Sequence, residues 1–228
     1  MKLTSKTIPP RPLPRLYLAT PVIEDPQPLA EVLPSLLEAA DVAAVLLRLK
    51  TSDPRTLISR IKALAPIVQN KGAALLLEGN AELVARAGAD GAHLPDLTAF
   101  EEALPTLKPD RIAGVGGLAT RHDAMTAGEL GADYVLFGEP NENGSRPSAT
   151  AIAERLAWWD ELFEVPSVGF AATLEEAGRF AGAGADFILA GDFIWNAAEG
   201  PAASLRATEA AIHKVQAGVP AKAEAPQG

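Results

Sequence analysis

Two basic residues close the apolar run VAAVLLRLK, namely Arg48 and Lys50. Two positions apart on an extended chain, they project to one side. A cation pair inside an apolar strand is costly unless something anionic meets it. A carboxylate of the chain itself, Glu78 or Asp96, meets that need; so does the phosphate of a ligand. A second set of anion donors lies in the polar stretch EPNENGSRPS, where Asn143, Ser145 and Arg146 offer amide, hydroxyl and guanidinium groups. The three histidines differ in setting. His93 ends the apolar segment GAHL, a place for a catalytic or ligand-contacting imidazole as well as for a structural one. His122 follows the Gly-rich turn GVGGLATR and either opens a helix or handles protons, while His213 falls on a terminal helix and is expected at the surface. Asp192 closes the apolar segment FILAG with a carboxylate. The pair Trp158-Trp159 sits in the helical stretch AIAERLAWWDELF and suits core packing or an oligomer contact better than a cofactor stack. No phosphate loop, HExxH or GxSxG occurs. Glycines 114, 116 and 117 lack the context of a dinucleotide fingerprint.

Such groups act together only if the elements between them bring them to one place. Three segments share a pattern: AGADGAHLP, LGADYVLFG and AGADFILAG; AADVAAVLLR is a fourth, with Ala in place of Gly. In each, a helix closes on a small residue, Asp turns the chain and an apolar strand follows. Glycine suits such a closure because left-handed backbone costs it little. Asp41, Asp90, Asp133 and Asp186 lie 49, 43 and 53 residues apart, which is room for two strand-helix units per interval. The intervening strands are RLYLAT, AALLLEG, RIAGVGG and VPSVGF. Helical stretches such as AEVLPSLLEA, DPRTLISRIKALAPIVQ and TLEEAGRFAGAG separate the strands. Continuous apolar strands imply cover on both faces, as in a parallel sheet. Eight such units predict an α/β protein with a closed (β/α)8 barrel, the TIM-barrel architecture, rather than a doubly wound open sheet. The Asp-led strands become its even-numbered members.

In that fold, function gathers on the loops after the strands. Those ends carry Arg48 and Lys50, Glu78 and Asn80, His93 and Asp96, Gly116 and Gly117, the loop from 139 to 148, Thr173 and Asp192. Glu78, Asp96, Glu139, Glu142 and Asp192 outnumber the basic side chains there, so a cationic ligand also fits. The expected boundaries are a Pro-rich extension over 1–14, one barrel domain over 15–216 and a tail over 217–228. With 48% hydrophobic and 21% charged residues, the 228-residue chain has an ordinary globular composition. A net charge of -9 argues against a phosphate-backbone footprint and thus against nucleic acid. No run reaches the ~18 apolar residues of a membrane span, and the start shows no secretory h-region. The lack of cysteine suits a reducing cytoplasm. The expected partner is a small phosphorylated metabolite, and a homodimer is compatible with the sequence.

From Arg15 to about Val215 the order of motifs resembles thiamine phosphate synthase and its relative, the thiazole tautomerase. RLYLAT looks like the opening strand of that family, and LLRLK is similar to its Q-x-R-x-K. AELVARAGADGAHLP resembles ELA…ADGVHLGQ, GADYVLFG resembles GADYVGxGP, and ENGSR falls on the T-x-T-K loop. The resemblance implies a TIM barrel of thiamine biosynthesis, with Arg48, Lys50, Asn143, Ser145 and Arg146 as phosphate or diphosphate contacts. It also implies Mg²⁺ where synthase activity is retained. The ligand-binding positions depart from the pattern. Glu78-Gly79 replaces the first metal-binding N-D, and Thr98 stands for the second metal-binding Asp. The GVSxH turn becomes GVGGLATRH, losing its serine; Ala171-Ala172 replaces a G-G turn, and Asp192 replaces a serine. The tautomerase branch implies a catalytic histidine after strand five, for which His122 is the nearby candidate. The expectation is therefore a divergent family member with an eroded Mg²⁺-diphosphate site. The alternatives are a catalytically silent binding or regulatory barrel, and unrelated chemistry on the same scaffold.

Overall fold

The computed structural model describes residues 12–216 apart from residue 142. Residues 1–11 of the expected 1–14 extension, the tail over 217–228 and the carboxylate of Glu142 lie outside the described residues. Eight strands follow one another around a closed, all-parallel barrel: β1 (Arg15–Ile23), β2 (Val42–Leu49), β3 (Ala74–Glu78), β4 (Gly91–Leu94), β5 (Ile112–Val115), β6 (Tyr134–Phe137), β7 (Ser167–Ala171) and β8 (Phe187–Ala190). The ring closes where β1 pairs with β8, Tyr17 opposite Leu189. The Asp-led strands are β2, β4, β6 and β8, as the repeat predicts.

Helices α1 (Gln27–Ala39), α2 (Pro54–Gln69), α3 (Val84–Ala87), α4 (Leu97–Leu107), α5 (Arg121–Glu129), α6 (Ala149–Leu162) and α7 (Leu174–Gly182) connect the strands. The short α8 (Asp192–Trp195) and α9 (Pro201–Gln216) follow β8. Asp53, Asp96, Thr120, Ser148 and Thr173 cap helices that return from the strand ends, each accepting a backbone N–H.

The recurring aspartates have a shared physical task at the opposite end. Asp90, Asp133 and Asp186 each turn a carboxylate to an amide at the start of the preceding odd strand, its first or second. They accept from Leu75, Ala113 and Ser167 at 2.7, 2.7 and 2.8 Å. Asp41 has the same duty in another form, taking two hydrogen bonds from the Arg15 side chain at 2.8 and 2.7 Å. Gly88, Gly131 and Gly184, which precede three of these turns, all have positive φ. The repeat is thus a device of the barrel's bottom, where it ties strands into pairs.

Alternation along the strands divides the core. Leu16, Leu18, Val45, Leu47, Leu75 and Leu77 face outward into the layer under the helices. Tyr17, Leu46, Leu76, Tyr134, Leu136, Val168 and Leu189 fill the barrel itself. Trp159 is buried under α6, its indole N–H donating to the Val165 carbonyl at 2.7 Å and its ring stacked on Phe163. Trp158 lies at the edge of that cluster with the Arg121 guanidinium 4.6 Å above its ring.

Candidate functional site at the barrel mouth

Above the interior layer the inward-facing positions change from apolar to ionisable. On β2, the side of Leu46 continues into Arg48. On β3, the side of Leu76 continues into Glu78, which pairs across the sheet with His93 on β4. The loop after β6 bends over these ends and encloses a cavity of about 810 Å³. Glu78, His93, Asp96, Glu139, Ser145, Arg146 and Arg155 give this cavity its polar wall; Leu118, Leu136, Phe137 and Ile152 give the apolar one.

A line of hydrogen bonds runs from the cavity into the barrel. Glu139 Oε1 lies 3.0 Å from His93 Nε2, and His93 Nδ1 lies 3.0 Å from the Tyr134 hydroxyl. The Tyr134 hydroxyl lies 3.0 Å from that of Tyr17. His93 is 2% exposed and stacks nearly parallel on Tyr134, with planes 4° apart. Burial raises the phenols of both tyrosines well above their ordinary range, so they remain hydroxyls. With Glu139 as a carboxylate, which can only accept, a neutral His93 ring places its proton on Nε2, and Nδ1 then accepts from Tyr134. Desolvation holds the Glu78 carboxyl above its ordinary value, while Arg48 and His93 oppose the rise.

The basic side chains at the mouth are engaged with the chain's own oxygens. Arg48 donates through Nε to the Thr20 carbonyl and through Nη2 to Asp192 Oδ1 at 2.8 Å. Lys50 turns away to Glu24 at 2.6 Å, in the open beyond β1. Neither takes Glu78 or Asp96 as its hydrogen-bonded ion-pair partner, one of the two alternatives the sequence offers; Asp96 is committed to capping α4. Arg146 donates to the carbonyls of Gly138 and Phe170 at 2.9 and 2.8 Å and to Glu176 Oε2 at 2.8 Å. Glu176 also accepts the Ala172 amide at 2.8 Å. Arg146 therefore fastens the β6 loop to β7 and α7. Asn141 folds that loop, its Oδ1 accepting the amides of Asn143 and Ser145 at 3.1 and 2.9 Å.

The structure thus brings His93, Ser145 and Arg146 to one cavity and sets Arg48 beside it with Asp192. Asn143 is on the exposed loop tip, and His122 is exposed on the first turn of α5, off the cavity wall. His213 is half-buried and bonded to the Pro14 carbonyl at 3.2 Å, rather than fully at the surface. Sequence reasoning counted Glu139 only among the mouth's acids and passed over Tyr17 and Tyr134. The available signal was Gly114-x-Gly116, two small residues two apart at the end of β5, Gly116 one step beyond it. A Cβ at Gly114 would lie 1.9 Å from the Tyr134 ring, and one at Gly116 would lie 1.7 Å from Glu139 Oε2 and 2.9 Å from His93 Nε2.

A closed parallel barrel with ionisable groups collected at the carboxyl ends of its strands is the (β/α)8 scaffold on which chemistry is built from βα loops. Within that class the particular family is specific. Residues 16–194 match the family model described as thiamine monophosphate synthase, and the chain belongs to that family. It is 42% identical to a thiamine-phosphate synthase of Rhodospirillum centenum, covering 84% of this chain and 94% of the relative. It is 38% identical to one of Hyphomonas neptunium, covering 90% of this chain and 96% of the relative. The thiamine phosphate pyrophosphorylase of Pyrococcus furiosus has the same fold, with a TM-score of 0.71 at 20% identity over 88% of this chain and 96% of the other.

The family resemblance implies Mg²⁺ at this mouth, where the pattern's metal-binding positions are changed. Octahedral Mg²⁺ keeps several waters and takes one or two carboxylates together with substrate phosphates. Gly79 and Thr98 stand where the pattern has metal-binding residues. Among the described residues no group of three or more His, Cys, Asp or Glu side chains has the spacing to hold a metal ion. Also among them, no helix is long and apolar enough to cross a membrane.

Proposed function

We propose that this barrel binds and converts a phosphorylated thiazole or pyrimidine intermediate on the way to thiamine phosphate, in the cavity at its C-terminal mouth. Near full-length likeness to relatives named thiamine-phosphate synthase carries the reading. Arg48 is the main anion-binding group, exchanging Asp192 for a ligand phosphate. Ser145 and Asn143 add hydroxyl and amide donors from the β6 loop, Arg146 shapes that loop, and Lys50 contributes charge from the rim. His93 supports proton transfer from behind the cavity wall through its bond to Glu139, and His122 comes within reach only if its turn moves. The site works without the Mg²⁺-diphosphate arrangement, because its acidic ligands are missing.

A second reading, a metabolite-binding barrel without turnover, is favoured by one observation. Arg48, Lys50 and Arg146 already carry the carboxylates of Asp192, Glu24 and Glu176. A melting-shift panel decides between them, using the phosphorylated thiazole, the pyrimidine diphosphate, both together, and each with and without Mg²⁺. A ligand at 100 times its Kd adds about 2.7 kcal/mol to stability. The expected result is a shift with a phosphorylated ligand that does not need Mg²⁺, followed by its conversion. A shift without conversion selects the binding barrel. No shift with any intermediate refutes both readings, and Mg²⁺-dependent coupling at ordinary enzyme rates refutes the eroded site.

A further inference from the structure

We propose that Glu139 is the proton-transferring residue of this mouth, a catalytic carboxylate held from behind by the buried chain His93–Tyr134–Tyr17. The inference rests on the proposed function above and names the chemistry of the same cavity. Glu139 is the member of the chain that opens to the ligand, with a side chain 21% exposed against 2% for His93. Its Oε1 is fixed by His93, while its Oε2 stands over Gly116 at the cavity wall.

Gly114 on β5 and Gly116 just past its end make room for this arrangement, since a side chain at either would collide with the tyrosine or the carboxylate. The space they leave is filled by an acid, an imidazole and two phenols in series. Each member satisfies the next: Tyr17 donates to Tyr134, Tyr134 to Nδ1, and Nε2–H to Glu139. His93 is therefore a positioning residue, which fixes the carboxylate and disperses its charge.

The step is a proton transfer and needs no further reactant. Glu139 takes a proton from an N–H or an acidic C–H of the bound intermediate, leaving that atom its electron pair. The neutral carboxylic acid then returns a proton to the same or a neighbouring atom. Other charged or titratable groups around Glu139 are Glu78 on β3, Arg48 on β2 behind it, Tyr17 on β1, Tyr134 on β6, and Asp96, Arg146 and Arg155 across the cavity.

The test incubates the full chain with the phosphorylated thiazole or the pyrimidine diphosphate in D₂O and follows deuterium entering the ligand. Wild type is expected to exchange a ligand proton. Glu139→Gln should retain the ligand's melting shift and lose at least about 100-fold in exchange. Glu139→Asp, with the carboxylate drawn back by one methylene, should retain exchange at a reduced rate. It also serves as the readout if the Gln variant folds poorly. Tyr134→Phe should cost only a few-fold. The ¹⁵N spectrum of the His93 ring, identified by its loss in His93→Gln, should show protonated Nε2 and bare Nδ1 at neutral pH. Binding with undiminished exchange in Glu139→Gln, or a ring protonated on Nδ1 alone, overturns the proposal while leaving the proposed function standing. No binding of any intermediate by wild type overturns the proposed function and this role together.

Discussion

Asp192→Ser should strengthen the binding of inorganic phosphate and of a phosphorylated thiazole, by an amount the Arg48 pair sets. Arg48 Nη2 and Asp192 Oδ1 are 2.8 Å apart, with side chains 21% and 78% exposed. Two unit charges 4 Å apart at an effective dielectric near 20 interact by about 4 kcal/mol. That figure is an upper bound here, because Asp192 is mostly in water, where such pairs are worth about 0–1 kcal/mol. An incoming phosphate must give up that pair and then sit near the displaced carboxylate. Taking about 1 kcal/mol for both costs predicts roughly fivefold tighter binding in the variant. The cation itself should stay in place, since Arg48 remains bonded to Thr20 through Nε and through its backbone amide. Calorimetric titration at low ionic strength and again at ~0.15 M salt measures the effect, which should shrink as salt screens the displaced charge. The reasoning is refuted if wild type binds phosphate tightly and Asp192→Ser weakens it. Asp192 would then be a ligand contact, not a competitor.

Asp133→Ala leaves the buried amide of Ala113 without its acceptor and should cost about 1–3 kcal/mol in urea unfolding, with Asp133→Asn costing less; equal stability of all three proteins would refute the pairing role of the repeat. Arg146→Ala should cost about 2–3 kcal/mol, and Arg146→Lys should recover little of it because one ammonium cannot reproduce the fork to two carbonyls and Glu176; full recovery by lysine would show that only the charge matters. Glu78→Gln should raise the unfolding midpoint at pH 7. The folded state favours the protonated carboxyl of Glu78, so its contribution is present below the unfolded value near 4.5 and is lost as pH rises through the higher folded value. The gain from Gln should therefore fade as pH falls through the higher folded value and be gone below about pH 4.5, and a pH-independent gain would contradict the desolvation account.

The barrel was legible because its signals are local and repeated. A helix closed by Gly88, Gly131 or Gly184, an aspartate and an apolar strand are neighbours in the chain, and each leaves its mark within about ten residues. The partners of the cations were not legible. Arg48 meets Asp192 from 144 positions away and Arg146 meets Glu176 from 30, by way of ring closure and a loop that folds back. Spacing of two on β2 placed Arg48 and Lys50 on one side, as an ideal strand requires. The strand ends at Leu49, however, and Lys50 leaves it toward Glu24. Periodicity says nothing of where a long side chain at a strand's end finds its partner.

Glu139 shows a different limit, and its solution lies in what glycine leaves empty. As a lone acid in a polar loop it looks like a solvated charge. Its meaning comes from Gly116, 23 positions earlier on the neighbouring strand, and from His93 on the strand before that. A serine at 116, the residue of the family's turn, would bring a Cβ to 1.7 Å from the Glu139 carboxylate. The two cannot share this geometry, so a serine there would make the Glu139 side chain shift. Gly116→Ser alone should lower the unfolding midpoint, and adding Glu139→Ala should restore most of it. Strict additivity of the two changes would mean that the loop moves aside freely. The carboxylate would then not be held where the proton chain needs it.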